Sequence, residues 1–175
     1  MQIQTLRQQL QQTPDTLTGI ISAFNSRTFN QPIEASGWTA GQVTDHITKA
    51  SDIAALLEGN VKPADRDPDA LSEGIAQMFL DFTIKMESPD FIIPGNGPFD
   101  PQQSINTLSQ IWPTLQQKAA KLDLSLLCLD FEMPVNGALT RQEWLSFIIV
   151  HTQRHIHQLR KIAAELNISL PAAAE

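Results

Sequence analysis

The sequence predicts an all-α protein, a single helical-bundle domain over residues 1–175. Three observations predict it. Apolar residues recur every three or four positions in several long segments. Two capping boxes, Thr39/Gln42 and Thr140/Glu143, stand just ahead of the clearest periodic runs. No segment alternates strongly enough to build a sheet, and no repeat with a period of roughly 20–50 residues is present.

Residues 2–25 carry Ile3, Leu6, Leu10, Leu17, Ile20, Ile21 and Phe24, an amphipathic pattern that Pro14 interrupts. A polar loop from Asn25 to Gly37 follows. The second helix is expected over 39–58. Trp38 and Val43 sit where a hydrophobic staple would, and Gly59-Asn60 supplies the stop. Val61 to Asp69, rich in Asp and Pro, reads as a loop. A third helix over about 69–87 carries Leu71, Ile75, Met78, Phe79, Phe82 and Met86.

Ser88 to Asp100 holds three prolines and two glycines and reads as irregular, either a lid over a site or a long connection. Asp100-Pro101 reads as an N-cap followed by proline in the first turn of a helix over about 101–121, which Pro113 should kink or split. Leu122 to Leu129 suits a helix tail or a short strand, and Glu132 to Gly137 is a turn. The last helix, from Thr140 to about Leu166, is the clearest, with Leu139 and Trp144 as its staple.

Composition excludes several classes. Apolar residues are 42% and charged residues 18% of the chain, which is globular rather than disordered. The run Phe147–Val150 is too short for a membrane span, and no apolar core follows a basic N-terminus, so a cytoplasmic location is expected. Cys128 is the only cysteine, so no internal disulfide forms, and it reads as a small buried hydrophobe. A net charge of −7 disfavours nucleic acid as a partner.

The chemistry lies in the histidines. In the last helix, Trp144, Ile148, His151, His155, Leu159 and Ile162 fall on one inward stripe. His151 and His155 are about 40° apart around the axis and roughly 6 Å apart along it, close enough to share one metal. In the second helix, Val43, His46, Ile47, Ala50, Ala54 and Leu57 form the inward stripe, so His46 also faces the core. If the N-terminal parts of the two helices lie side by side, His46 meets the pair. His157, about 240° from His151, points to solvent.

Three histidine ligands leave a coordination position for water or substrate, the arrangement of a catalytic ion. The glutamate of an H-E-x-x-H protease is absent, because Thr152 holds its position. Asp45, Asp52 and Gln158 are candidates to orient the imidazoles. Gln158 lies near the face of His155, whereas Asp45 reads as a solvated acid pointing aside. Trp38 and Trp144 read as packing residues.

The run from Gly137 to Leu159, G-A-L-T-R-Q-E-W-L-S-F-I-I-V-H-T-Q-R-H-I-H-Q-L, resembles the closing helix of the DinB/YfiT-like superfamily. Trp38-Thr-Ala-Gly-Gln-Val-Thr-Asp-His46 resembles its second-helix motif, and element order and length match over nearly the whole chain. The resemblance implies a four-helix bundle with an unusual connection and a metal held by His46, His151 and His155. It implies zinc or nickel as the divalent ion and a small-molecule substrate. It also implies a low-molecular-weight thiol cofactor in the transferase relatives, water in the hydrolase-like ones, and a homodimer in many. The expected function is therefore a metal-dependent thiol transferase or hydrolase. The alternative is a non-catalytic ligand-binding or stress protein with buried histidines or a structural ion closed by a fourth protein ligand.

Overall fold

The computed structural model describes residues 1–34 and 36–171. Its helices are α1 (Ile3–Ile21), α2 (Ser26–Phe29), α3 (Ala40–Ser51), α4 (Ala54–Glu58), α5 (Ser72–Leu80), α6 (Pro101–Lys121) and α7 (Arg141–Glu165). A 3-10 turn, Asp90–Ile92, lies between α5 and α6. Helices α1, α3, α6 and α7 form a four-helix bundle in which α1 and α3 each pack between α6 and α7. Helix α5 packs against α7 from outside this square.

Helix α7 begins where its capping box places it. Thr140 Oγ1 accepts the Glu143 N–H at 3.1 Å, and Glu143 Oε2 accepts the Thr140 N–H at 2.9 Å. The Glu143 carboxylate is fully buried, and its remaining capacity is filled. It accepts the Leu71 N–H at 2.9 Å and pairs with the Arg66 guanidinium. One glutamate thus caps α7 and ties down the segment leading into α5. Every residue from Arg141 to Thr152 is buried. The sequence pattern predicts a single inward stripe, but α5 covers the outer face of α7, so this helix is the centre of the molecule.

Pro14 does not end α1. A proline there has no N–H for the carbonyl of Leu10, one turn earlier. Gln116 Nε2, from α6, donates to Leu10 O at 2.9 Å and fills the gap. Helix α6 likewise continues through Pro113.

Other boundaries differ from expectation for local reasons. The first helix ends at Ile21, because Asn25 and Thr28 form a separate capping box that starts α2. The helix expected over 39–58 breaks at Asp52-Ile53 into α3 and α4, with no glycine or proline to announce it. Helix α5 stops at Leu80, short of residue 87. There Asp81 Oδ1 accepts the Thr83 N–H and hydroxyl at 2.9 and 2.6 Å. That turn competes with the helix, and Arg154 takes the Phe79 and Asp81 carbonyls at 3.0 and 2.9 Å.

A small sheet accompanies the helical bundle, and it takes the strand alternative for part of Leu122–Leu129. β1 (Val61–Pro63) pairs antiparallel with β2 (Leu126–Cys128), with Val61 opposite Cys128. Strands of three residues are too short to display alternation.

Replacing Gln116 with Ala leaves Leu10 O without a donor and should cost about 1–2 kcal/mol in urea denaturation. In a Pro14→Ala background, where the backbone supplies the donor, the cost should shrink to a few tenths. An equal cost in both backgrounds would show that Gln116 acts otherwise.

Candidate metal centre

Helices α3 and α7 pack against each other, and each brings imidazoles to the same point. His46 lies on the second turn of α3, and His151 and His155 lie on successive turns of α7. Their ligand-capable nitrogens fall within 4.8 Å of one another. His46 Nε2 is 3.0 Å from His151 Nε2. The residues are 3%, 4% and 9% exposed, respectively. Their rings meet edge to face or tilted, with centroids 4.6–4.9 Å apart.

The outer partners set the tautomers. His46 Nδ1 lies 2.8 Å from Ile92 O, and a carbonyl only accepts, so Nδ1 carries the hydrogen and Nε2 keeps its lone pair. His155 Nδ1 donates to Gln158 Oε1 at 2.9 Å. The Gln158 amide is in turn fixed by donating through Nε2 to Ser36 Oγ at 3.2 Å. His155 Nε2 therefore also offers a lone pair. His151 Nδ1 is buried without a hydrogen-bond partner.

Burial, above all, holds all three imidazoles neutral. It lowers His46, lowers His151 well below the usual range, and lowers His155 to about 4. Repulsion among the rings adds to the effect on His151 and His155. The result is a buried set of neutral nitrogen donors.

That donor set suits a divalent ion. Two imidazole nitrogens each about 2.0–2.1 Å from a tetrahedral ion lie roughly 3.3 Å apart, near the His46–His151 separation. Among the described residues the cluster contains no carboxylate or thiol.

The other candidates divide clearly. Gln158 lies beside His155 as expected. Asp45 accepts the Gly95 N–H at 2.9 Å and pairs with Lys49 at 2.9 Å, turned aside. Asp52 is the exposed C-cap residue of α3. His157 is off the site, as expected, but stacks on Phe82 at 3.9 Å rather than standing free in solvent. Cys128 is buried, with its thiol pushed up to about 11 by burial, and is inert as a nucleophile.

Sequence reasoning misses two contributors. Trp38, read as a staple, sets its ring 5.1 Å from that of His46. The Ile92 carbonyl holds His46 from within the irregular 88–100 segment, which no side-chain pattern could reveal. That segment is a strap clipped to α3. Lys49 Nζ donates to Ile93 O at 2.8 Å, Gln42 Nε2 to Gly95 O at 3.3 Å, and Ser88 Oγ lies 3.4 Å from His46 Nδ1.

The sequence pattern of the DinB superfamily matches residues 9–159. The chain belongs to the DinB superfamily. This DinB-superfamily chain is 25% identical over 151 residues to the uncharacterised protein YuaE of Bacillus subtilis, a match covering 83% of the chain and 90% of YuaE. Its fold matches that of YfiT from Bacillus subtilis, described as a probable metal-dependent hydrolase with an unusual four-helix bundle topology. The TM-score is 0.64 at 18% identity, covering 96% of this chain and 89% of YfiT. A DinB-like protein from Bacillus cereus matches with a TM-score of 0.58 at 14% identity, covering 97% and 95% of the two chains.

The imidazole environment makes the metal-free DinB bundle acid-sensitive. Each lowered folded-state pKa contributes stability that is complete above the unfolded value near 6.5 and is lost as pH falls toward the folded value. For His155, lowered from 6.5 to about 4, the loss is on the order of 3 kcal/mol. The melting temperature of metal-stripped protein should therefore fall steadily from pH 7 to pH 4, and less steeply in His155→Ala. A flat profile would contradict the assigned protonation states.

Proposed function

We propose that this protein is a metal-dependent enzyme in which His46, His151 and His155 hold a divalent ion, zinc or nickel. The observation that carries this reading is the orientation of the rings. Ile92 O and Gln158 Oε1 occupy the outer nitrogens of His46 and His155, leaving their inner lone pairs directed to a cluster shared with His151. A bound ion on three neutral histidines leaves a coordination position for a small molecule and acidifies the water or thiol that takes it.

The chain's own residues do the rest. Ile92 and the Gln158–Ser36 pair fix two rings before anything binds, which lowers the reorganisation needed on binding. The strap and Trp38 keep bulk water from His46. Arg154, committed to the carbonyls at the end of α5, contributes positive potential near His151 and His155 without hydrogen-bonding to either.

YfiT, with the same fold, is described as a probable metal-dependent hydrolase, which supports attack by water. A second reading, attack by a small thiol, is favoured by the lack of a carboxylate in the cluster among the described residues. A thiol ionises near neutral pH at a metal without a general base, whereas the usual zinc hydrolase places a glutamate beside the water. Thr152 occupies that sequence position and is buried.

His151→Ala should abolish metal uptake, measured by elemental analysis of purified protein, while a variant retaining a full equivalent would refute the ligand set. Gln158→Leu should keep the metal but weaken its affinity about 10–100-fold in competition with a chromogenic chelator, with partial recovery in Gln158→Glu. Zinc- and nickel-loaded protein tested on chromogenic esters, and on an aryl electrophile with small thiols, separates the two reactions. Turnover that persists in His155→Ala would show that neither runs through this site.

A further inference from the structure

A line of aromatic rings runs from solvent to the histidine cluster. Phe91, on the strap, is 65% exposed, and its ring lies 5.4 Å from that of Phe131, itself 37% exposed. Phe131 lies 5.8 Å from Trp144, Trp144 lies 5.7 Å from Phe147, and Phe147 lies 5.4 Å from His151. Phe79 of α5 flanks the inner end, 5.2 Å from Phe147 and 6.0 Å from His151. The contacts bring together three separate stretches of chain, so the line is built by the fold and is not one helix face.

Two features mark it as more than core packing. Trp144 Nε1 lies in the line, is buried, and has no hydrogen-bond partner. A core indole normally finds an acceptor; Trp112 Nε1 is unpaired as well, but Trp144 differs in lying on a line of rings that reaches solvent. Secondly, a phenylalanine as exposed as Phe91 gains little from burial, yet its ring covers the outer end of the line. It belongs to the same strap whose Ile92 carbonyl holds His46. Displacing Phe91 from Phe131 would therefore shift the element that orients a histidine.

We propose that this line is the substrate seat: the ligand is a neutral small molecule with an aryl or comparable apolar body and an acceptor oxygen. The inference rests on the reading of the histidines as a metal site. The apolar body lies along Phe131 and Phe147 in place of Phe91, the acceptor oxygen meets Trp144 Nε1–H, and the reacting group faces His151. Arg154, whose charge reaches His151 and His155, is engaged with backbone carbonyls and so is not free to receive an anionic body. The strap is the part that yields. It is held to α3 by exposed hydrogen bonds in which Lys49 and Gln42 donate and Asp45 accepts, the kind of contact that opens locally.

The test uses the full chain loaded with zinc or nickel to one equivalent, with calorimetric affinities for benzohydroxamic and acetohydroxamic acids. The two probes share a chelating head and differ in the phenyl ring. Benzohydroxamate should bind at least about tenfold more tightly. Phe131→Ala should bring the two acids to within about threefold of each other while leaving acetohydroxamate unchanged. Phe91→Ala, which removes the competing ring at an exposed site, should tighten benzohydroxamate. Phe82→Ala, truncated at the exposed ring stacked on His157, should preserve the preference. Equal affinities, a preference that survives Phe131→Ala, weaker benzohydroxamate binding in Phe91→Ala, or no binding of either acid to metal-loaded protein overturns the substrate seat alone. A chain that takes up neither metal overturns the seat and the metal reading together.

Discussion

His46 Nε2 and His151 Nε2 stand 3.0 Å apart in a buried site, and much of the structure around them follows from what can occupy that gap. The hydrogen on His46 is committed to Ile92 O, so its inner nitrogen presents only a lone pair. A second lone pair facing it at that distance is repulsive unless something positive lies between. A single proton on His151 Nε2 can bridge the two, leaving His151 Nδ1 as a buried acceptor with no donor. A cation can bridge them more completely, drawing in the His155 nitrogen as well. Burial suppresses protonation of all three rings, so the site refuses extra protons while keeping its donors ready for a metal.

Holding such a site requires a rigid frame, and the frame is concentrated in α7. Its first three turns are buried on every side, and Glu143 locks its start to the chain entering α5. Helix α3 meets α7 with an equally well-formed cap at Thr39. Both helices thus have fixed starts, and the histidines are counted from those starts. The strap differs in kind: it is mostly irregular, held by exposed polar contacts, and rich in exposed apolar side chains. A stiff helical pair carrying the histidines and a softer segment carrying one orienting carbonyl is a division suited to a site that must be preformed yet reachable.

The helices and histidines were legible in the sequence because both depend on local periodicity and local caps. Thr39/Gln42 and Thr140/Glu143 mark helix starts by side-chain chemistry within four residues, and the 151/155 spacing is a helical turn. Gln158 was readable for the same reason. What was not legible depends on tertiary contacts. Gln116 rescues the carbonyl exposed by Pro14 from another helix. The break at Asp52-Ile53 has no local signal, and the β1–β2 pairing joins two three-residue strands far apart in sequence. The Ile92 carbonyl is a backbone group, identical in every residue type, and only the path of the strap brings it to His46. Trp144 fills its expected staple place, yet its unpaired indole N–H within an aromatic line appears only once the fold is known.

X-ray absorption fine structure on zinc-loaded protein tests the central claim most directly, because it counts imidazoles around the ion. Convergence of the three histidines predicts three imidazole nitrogens at about 2.0–2.1 Å and one additional light atom, with no sulfur. One or two imidazoles, or a sulfur ligand, would contradict the convergence on which the site is built.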